Sequence, residues 1–278
     1  MKSPAALLGV FVVGAMASLA ASSVVVGATL GVLPAIGSTY TAVLISLVFS
    51  LALLALSRTL LRHEGASLLE LGLVPTRERR QQFGTGFAIS GLLFFAIAVT
   101  QAAIVRAPWQ LQGVPGIRAA LIGVLLTGVL TLTEELLFRG VALRYLRSLY
   151  GDRAAILLSA VLFGAYHLVQ SDDWAMGAVF RFLMPTLGGL LFGWAALRSR
   201  GLALPLGLHL GANWVQSSIA GFAPNVLADA PVHALWRIPI SIDDVRVLTA
   251  PDIVPHLPYV IAMAVAAAAT WRLQPERQ

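Results

Sequence analysis

The segment 133–140 (TEELLFRG) places two acids and a base inside an otherwise apolar stretch. On a helix, Glu135 and Arg139 lie four residues apart on one face, where a carboxylate–guanidinium pair can form. Glu134 is rotated by about 100° from that face and lacks this counter-ion. A carboxylate without a paired cation in a low-dielectric setting gains basicity, which suits a general base. The alternative is that both acids are structural, each tied up in interhelical ion pairs.

Two further apolar stretches contain a histidine. The sequence FGAYH ends at His167, and HLGAN begins at His209 and ends at Asn213. A spacing of four residues on a helix directs the imidazole and the carboxamide to the same side. Gly207 and Gly211 flank His209 as a GxxxG, which predicts close approach by a second helix. A single membrane histidine is often only an interhelical hydrogen-bond partner, so the motifs must be interpreted together.

These groups favour hydrolysis of an amide bond by an activated water molecule. Glu134, with His167, would deprotonate the water, while His209 and Asn213 would donate hydrogen bonds to the developing oxyanion. The chain has neither a GxSxG motif nor a cysteine, so we expect no nucleophile from the protein. Zinc is the rival, because two histidines and a carboxylate can bind it with water in the fourth position. The absence of a helical HExxH favours a metal-free site without a cofactor.

The composition excludes a water-soluble enzyme. Of 278 residues, 58% are hydrophobic and only 12% are charged, against about 25% charged in ordinary soluble domains. One core cannot hide that much apolar surface, so part of the chain must face hydrocarbon. The absence of cysteine excludes disulfides, thiolate chemistry and lipid attachment through cysteine. The net charge of +6 reflects membrane topology and not nucleic-acid binding, because no basic run is interleaved with aromatic residues.

The apolar stretches predict an all-α, polytopic transmembrane helical bundle with about eight transmembrane helices, since each stretch can cross about 30 Å of hydrocarbon. Residues 1–278 form a single integral-membrane domain in this interpretation, with 117–220 as the core that carries the motifs. The first stretch resembles a secretory signal but is too long for one, so we expect it to be retained. The fourth is longer than a crossing needs and is expected to tilt or project into the cytosol. The predicted spans are 7–33, 40–57, 84–105, 117–147, 154–171, 175–197, 201–221 and 256–273.

The basic residues predict the orientation of these spans. When the spans are threaded with the amino terminus inside, most arginines fall on one side, which indicates a multi-pass protein of the cell membrane with both termini in the cytoplasm. The segment 68–82 becomes a cytoplasmic connector, in part a surface-lying helix, and 222–255 becomes an external loop to which the sequence assigns no role. The inner basic residues are Lys2, Arg58, Arg62, Arg77, Arg79, Arg80, Arg144, Arg147, Arg153, Arg198, Arg200, Arg272 and Arg277; the outer ones are Arg106, Arg118, Arg237 and Arg246.

The same threading gives each polar group a depth below the cytoplasmic face. At about 1.5 Å per helical residue, Glu134, His167, His209 and Asn213 lie at depths of roughly 20, 20, 12 and 18 Å. All four therefore fit one layer. We predict a polar chamber beneath the cytoplasmic face, assembled from three helices.

The three motifs, EExxxR at 134–139, FxxxH at 163–167 and HxxxN at 209–213, resemble in type and order those of the CPBP family of intramembrane proteases. This family, described as metalloprotease-like or as glutamate proteases, comprises type II CAAX prenyl endopeptidases and bacteriocin-processing relatives. The resemblance covers about 117–220. All motif positions are filled, so nothing in them indicates an inactive enzyme.

The resemblance implies a helical glutamate protease of the membrane, acting on a membrane-associated peptide or protein that is, for example, prenylated or lipid-tethered. It implies that Glu134 and His167 activate water and that His209 and Asn213 form the oxyanion hole. The residues implied to support the site are Glu135 and Arg139. Three alternatives stay open: a zinc-dependent version of the same protease, a non-catalytic peptide-binding or immunity scaffold, and a proton-coupled transporter. The substrate and the oligomeric state do not follow from the sequence.

Overall fold

The computed structural model describes residues 3–30, 38–104, 106, 110–169, 177–221, 234–237 and 257–272. These residues form a bundle of long α-helices, which confirms the predicted all-α, polytopic class. The helices are α1 (Pro4–Leu30), α2 (Ser38–His63), α3 (Arg77–Ile104), α4 (Gly113–Phe138), α5 (Val141–Val169), α6 (Gly177–Ser199), α7 (Ala203–Trp214) and α8 (Leu257–Arg272).

Four stretches of the described residues are long and apolar enough to cross a membrane. The number of eight crossings stays a prediction. Lys2, most of the predicted external loop 222–255 and the carboxyl-terminal residues from 273 onward lie outside the described residues. The four stretches are Pro4–Leu30, Tyr40–His63, Arg77–Ile104 and Gly113–Leu168.

The structure corrects the predicted fourth span, 117–147, which is not one continuous helix. The α4 helix ends at Phe138, and α5 begins at Val141. A Cβ atom on Gly140 would lie 2.5 Å from the carbonyl oxygen of Leu136, so only glycine fits this tight turn. Hydropathy alone does not register such a break, because the residues on both sides of the turn are apolar.

Helices α3 and α7 pack with their backbones in direct contact. A Cβ atom on Gly207 would overlap the carbonyl oxygen of Phe83, and one on Gly211 would overlap that of Phe87. The prediction of a close helix approach beside His209 is thus confirmed, and the approaching helix is α3. This contact fixes the position of α7 along the axis of α3.

Polar contacts hold α4 between two other helices. The hydroxyl of Thr133 lies 2.7 Å from Ser50 Oγ on α2 and donates to the carbonyl oxygen of Ser46 at 3.0 Å. Towards the other end of α4, the indole of Trp214 on α7 donates to the carbonyl oxygen of Ala120 at 2.8 Å. The acidic segment of α4 therefore has a defined rotation and height relative to both neighbours.

The connector predicted at 68–82 packs against the bundle. Only Leu68–Leu71 forms a helical turn, of the 3₁₀ type, and α3 begins soon afterwards at Arg77. The guanidinium of Arg79 donates to the carbonyl oxygens of Ser199 at 2.6 Å and Arg200 at 3.0 Å, so it caps the carboxyl end of α6. The connector is therefore not a surface-lying helix over most of its length.

The opposite end of the bundle carries a two-stranded antiparallel ribbon. Strand β1 (Gln110–Leu111) pairs with β2 (Trp236–Arg237), with Gln110 opposite Arg237. Next to it, α7 continues into a π-helical turn over Val215–Ile219, and the backbone N–H of Leu235 donates to the carbonyl oxygen of Ser218 at 2.9 Å. The ribbon is therefore joined to the end of α7.

Replacement of Gly207 by alanine should lower the stability of the bundle. The new methyl group would meet backbone atoms of α3 that cannot rotate away, and overpacking of this kind costs about 1–3 kcal/mol. Thermal unfolding in detergent measures the effect. Gly84→Ala on α3 is the matched control, since nothing lies within 4 Å of its Cβ position. Equal unfolding temperatures for the two variants would contradict the close α3–α7 contact.

Candidate active site

Three helices bring Glu134, His167 and His209 together. Glu134 lies on the last turn of α4, His167 near the end of α5 and His209 in the middle of α7. The distance from Glu134 Oε1 to His167 Nε2 is 4.0 Å, and that from Glu134 Oε2 to His209 Nε2 is 3.4 Å. The carboxylate thus lies between two imidazoles that both present Nε2 to it. The side chain of His167 is 30% exposed and that of Glu134 is 16% exposed, so small molecules can reach this group.

Glu135 forms a fully buried pair with Arg139 and also contacts His209. Its Oε1 atom accepts from Arg139 Nη1 at 3.2 Å and from His209 Nδ1 at 2.8 Å. The pair predicted from the four-residue spacing is therefore present. Because a carboxylate oxygen accepts, Nδ1 of His209 carries a proton and donates it to Glu135. Nε2 is then the His209 atom that faces Glu134.

Aromatic rings surround the buried guanidinium of Arg139. Its Cζ atom lies 4.2 Å from the ring centroid of Phe163, 5.5 Å from that of Phe192 and 5.6 Å from that of Phe138. Contacts between a cation and ring faces offset part of the cost of burying the charge. Ser159 Oγ on α5 donates to the carbonyl oxygen of Phe138 at 3.1 Å, which ties α5 to the end of α4. The turn between α4 and α5 therefore places the guanidinium of Arg139 next to the carboxylate of Glu135.

The imidazole of His167 is oriented by its own helix. Its Nδ1 atom lies 2.9 Å from the carbonyl oxygen of Phe163, one turn earlier. Nδ1–H therefore donates, and Nε2 keeps its lone pair. The 4.0 Å between this Nε2 and Glu134 Oε1 is too long for a hydrogen bond. A water molecule between these two acceptors can donate one hydrogen to each.

Asn213 lies one turn after His209 on α7 and is half-buried. Its backbone carbonyl accepts from Ser217 Oγ at 2.7 Å, within the π-helical turn that follows α7. Among the residues that the structure describes, no hydrogen bond is formed by its carboxamide with Glu134 or His167. Its side chain projects from the same side of α7 as that of His209. Its part in an oxyanion hole stays a prediction.

The structure adds one residue that the sequence analysis missed. The ring of Phe192 on α6 stacks on the imidazole of His209, with centroids 4.5 Å apart and planes inclined by 18°. Nothing in the sequence distinguishes this phenylalanine from the other apolar residues of its helix. Gly189, one turn earlier, allows the approach of α6, because a Cβ atom there would lie 2.8 Å from Ala160 Cα and 3.0 Å from Arg139 Nη2.

The geometry does not favour the zinc alternative. Among the described residues, no group of three or more histidine, aspartate or glutamate side chains has the arrangement of a metal site. Ligand atoms on a tetrahedral zinc lie about 3.3 Å apart, given bonds of about 2.0 Å. Glu134 Oε1 and His167 Nε2 are farther apart, at 4.0 Å. His209 Nε2 and Glu134 Oε2, at 3.4 Å, do have the spacing of two zinc ligands, so the distance to His167 is what separates this cluster from a metal site.

The fold and this cluster define a helical membrane protein with a buried acid–imidazole site on three helices. Residues 116–215 match the family model described as type II CAAX prenyl endopeptidase Rce1-like. The resemblance of the three motifs to the CPBP family of CAAX proteases is thereby confirmed over these residues, and the family together with the apolar helices identifies a multi-pass membrane protein. No curated protein and no solved structure matches the chain.

Replacement of Arg139 by alanine should strongly destabilise the protein. It leaves the carboxylate of Glu135 buried without its cation, and breaking a buried ion pair typically costs about 3–5 kcal/mol. Thermal unfolding in detergent measures the loss. Arg144→Ala is the matched control, because its side chain is 42% exposed where it pairs with Glu64 and Glu70, and exposed pairs contribute at most about 1 kcal/mol. Similar losses of stability in both variants would show that the buried pair of Arg139 and Glu135 contributes no more than an exposed pair.

Proposed function

We propose that the protein is an intramembrane endopeptidase that hydrolyses a peptide bond of a membrane-associated substrate with water activated by Glu134. The observation that supports this most is the position of the Glu134 carboxylate between Nε2 of His167 at 4.0 Å and Nε2 of His209 at 3.4 Å. The family match supports the CAAX-type protease class. Lipid and a membrane-tethered peptide are the partners that such a site requires.

In the first step, a water molecule between Glu134 and His167 loses a proton to the carboxylate. Its oxygen attacks the carbonyl carbon of the scissile amide, and the carbonyl oxygen gains the negative charge. A positioned general base of this kind accelerates such a step by about 10²–10⁴-fold. The proton then passes to the leaving nitrogen, the C–N bond breaks, and the products are a carboxylate and an amine.

The developing oxyanion needs donors, and we assign this role to His209 and Asn213. Because Nδ1–H of His209 is engaged with Glu135 at 2.8 Å, donation from Nε2 requires the doubly protonated ring. Arg139 neutralises Glu135, so Glu134 is the carboxylate that compensates that charge. In this assignment the pair of Glu135 and Arg139 fixes the imidazole, and Glu134 supplies its counter-charge. A lost oxyanion donor typically costs about 2.7–4 kcal/mol of transition-state stabilisation.

We infer that cleavage takes place near the cytoplasmic leaflet of the cell membrane. Two connections meet at one end of the bundle, where Leu202 N donates to Leu71 O at 2.8 Å. Basic residues gather at this end: Arg79 contacts Ser199 and Arg200, and Arg144 pairs with Glu64 and Glu70. The positive-inside rule places such an end in the cytoplasm. His209 follows Leu202 by seven residues, a rise of about 10 Å along α7.

Conservative removal of the base should abolish turnover. In Glu134→Gln the carboxamide cannot take a proton from water, so kcat should fall by at least about 10²-fold, and His167→Ala and His209→Ala should each lower it by a similar factor. Cleavage of a panel of membrane-tethered peptides, with and without a prenylated cysteine, by purified protein in liposomes measures this. Glu78→Gln, on the exposed start of α3, is the control and should keep wild-type turnover.

Undiminished turnover in all three site variants would exclude the proposed peptidase. Peptide binding that survives Glu134→Gln, without cleavage by the wild type, would instead support a non-catalytic scaffold. Flux of a solute into proteoliposomes would support a transporter.

Chelation should leave the activity unchanged. The proposed chemistry uses only Glu134 and two imidazoles, so dialysis against a strong zinc chelator should alter neither kcat nor KM. Elemental analysis of the purified protein completes the test. Stoichiometric, tightly held zinc whose removal stops cleavage would contradict the metal-free assignment and establish the zinc-dependent alternative.

A further inference from the structure

The imidazole of His209 is fixed within its plane by two carboxylates and across its plane by an aromatic ring. Glu135 Oε1 lies 2.8 Å from Nδ1, and Glu134 Oε2 lies 3.4 Å from Nε2. Phe192 covers one face, with a centroid distance of 4.5 Å and planes only 18° apart. The ring of Phe163 stands at 89° to the imidazole, 5.6 Å away. The two carboxylates set where the nitrogens point, whereas Phe192 limits the rotation of the ring.

Phe192 is itself held in place. It is 6% exposed, its ring meets that of Phe163 edge-on at 6.4 Å, and the guanidinium carbon of Arg139 lies 5.5 Å from its centroid. The close approach of α6 to α5 at Gly189 sets the distance between Phe192 and α7. The ring is thus a rigid wall beside His209 and not a loosely packed side chain.

We propose that Phe192 is a positioning residue for His209. Its flat face keeps the imidazole in the plane in which Nδ1 stays on Glu135 while Nε2 faces Glu134 and the reacting carbonyl. The inference rests on the proposed function, in which Nε2–H donates to the oxyanion. A rotation about the Cβ–Cγ bond of His209 would swing both nitrogens out of line, and the stacked ring of Phe192, with its centroid 4.5 Å away, opposes that rotation. An aliphatic side chain of similar size fills the volume but presents no flat face.

Three variants separate this role from simple packing. Phe192→Leu should lower kcat by about tenfold with little change in KM, since a small misplacement of a catalytic group costs rate and not binding. Phe192→Tyr keeps the ring and should stay within about threefold of the wild type. Phe11→Leu makes the same change at an equally buried phenylalanine on α1, in a cluster with Leu53 and Leu61 of α2, and should leave kcat unchanged.

A second measurement does not depend on turnover. ¹⁵N spectra of histidine-labelled protein, with the His209 signals assigned by their loss in His209→Gln, report the protonation and hydrogen bonding of each ring nitrogen. In Phe192→Leu the Nδ1 and Nε2 signals should shift from their wild-type positions, whereas Phe192→Tyr and Phe11→Leu should keep the wild-type spectrum.

Wild-type His209 signals in Phe192→Leu would overturn the inference, as would equal losses of kcat in Phe192→Leu and Phe11→Leu. A wild-type protein that cleaves no peptide refutes the proposed function instead, and the ¹⁵N spectra then decide the positioning role of Phe192 alone.

Discussion

The candidate site depends on one buried carboxylate. Glu135 has no solvent exposure and accepts through a single oxygen from both Arg139 and His209. A charge in such a place is tolerable only because it is paired and hydrogen-bonded. The same contacts place a proton on Nδ1 of His209 and set where Nε2 points. The neighbouring Glu134 has no guanidinium partner and lies between Nε2 of His209 and Nε2 of His167.

The surrounding helices position the partners of the Glu135 carboxylate. The turn at Arg139 and Gly140 lets the guanidinium lie among the rings of Phe138, Phe163 and Phe192. The hydroxyl of Ser50 and the carbonyl oxygen of Ser46 on α2 fix the rotation of α4 through Thr133. The glycines of α7 let α3 approach that helix. The acid–base groups come from different helices, but their separations are set by these few backbone contacts.

Much of the site was accessible from the sequence, because ionisable residues in apolar helices are costly and therefore conspicuous. Spacing of four residues predicted the pair of Glu135 and Arg139, and the GxxxG predicted the close helix beside His209. The break after Phe138 was missed, since hydropathy does not record a turn between two apolar segments. Phe192 was missed because a phenylalanine in an apolar helix carries no compositional signal. Sequence periodicity shows which side chains share a face of one helix, but it does not show which side chain of another helix each of them contacts.

The contact between α3 and α7 involves main-chain atoms where Gly207 and Gly211 meet the carbonyl oxygens of Phe83 and Phe87. The height of His209 in the bundle is therefore set by this backbone contact, together with the bond from Trp214 to Ala120. Residues on the other faces of these helices can then vary without moving the imidazole. For the proposed peptidase, such a scaffold keeps His209 in place while the residues that contact the substrate change.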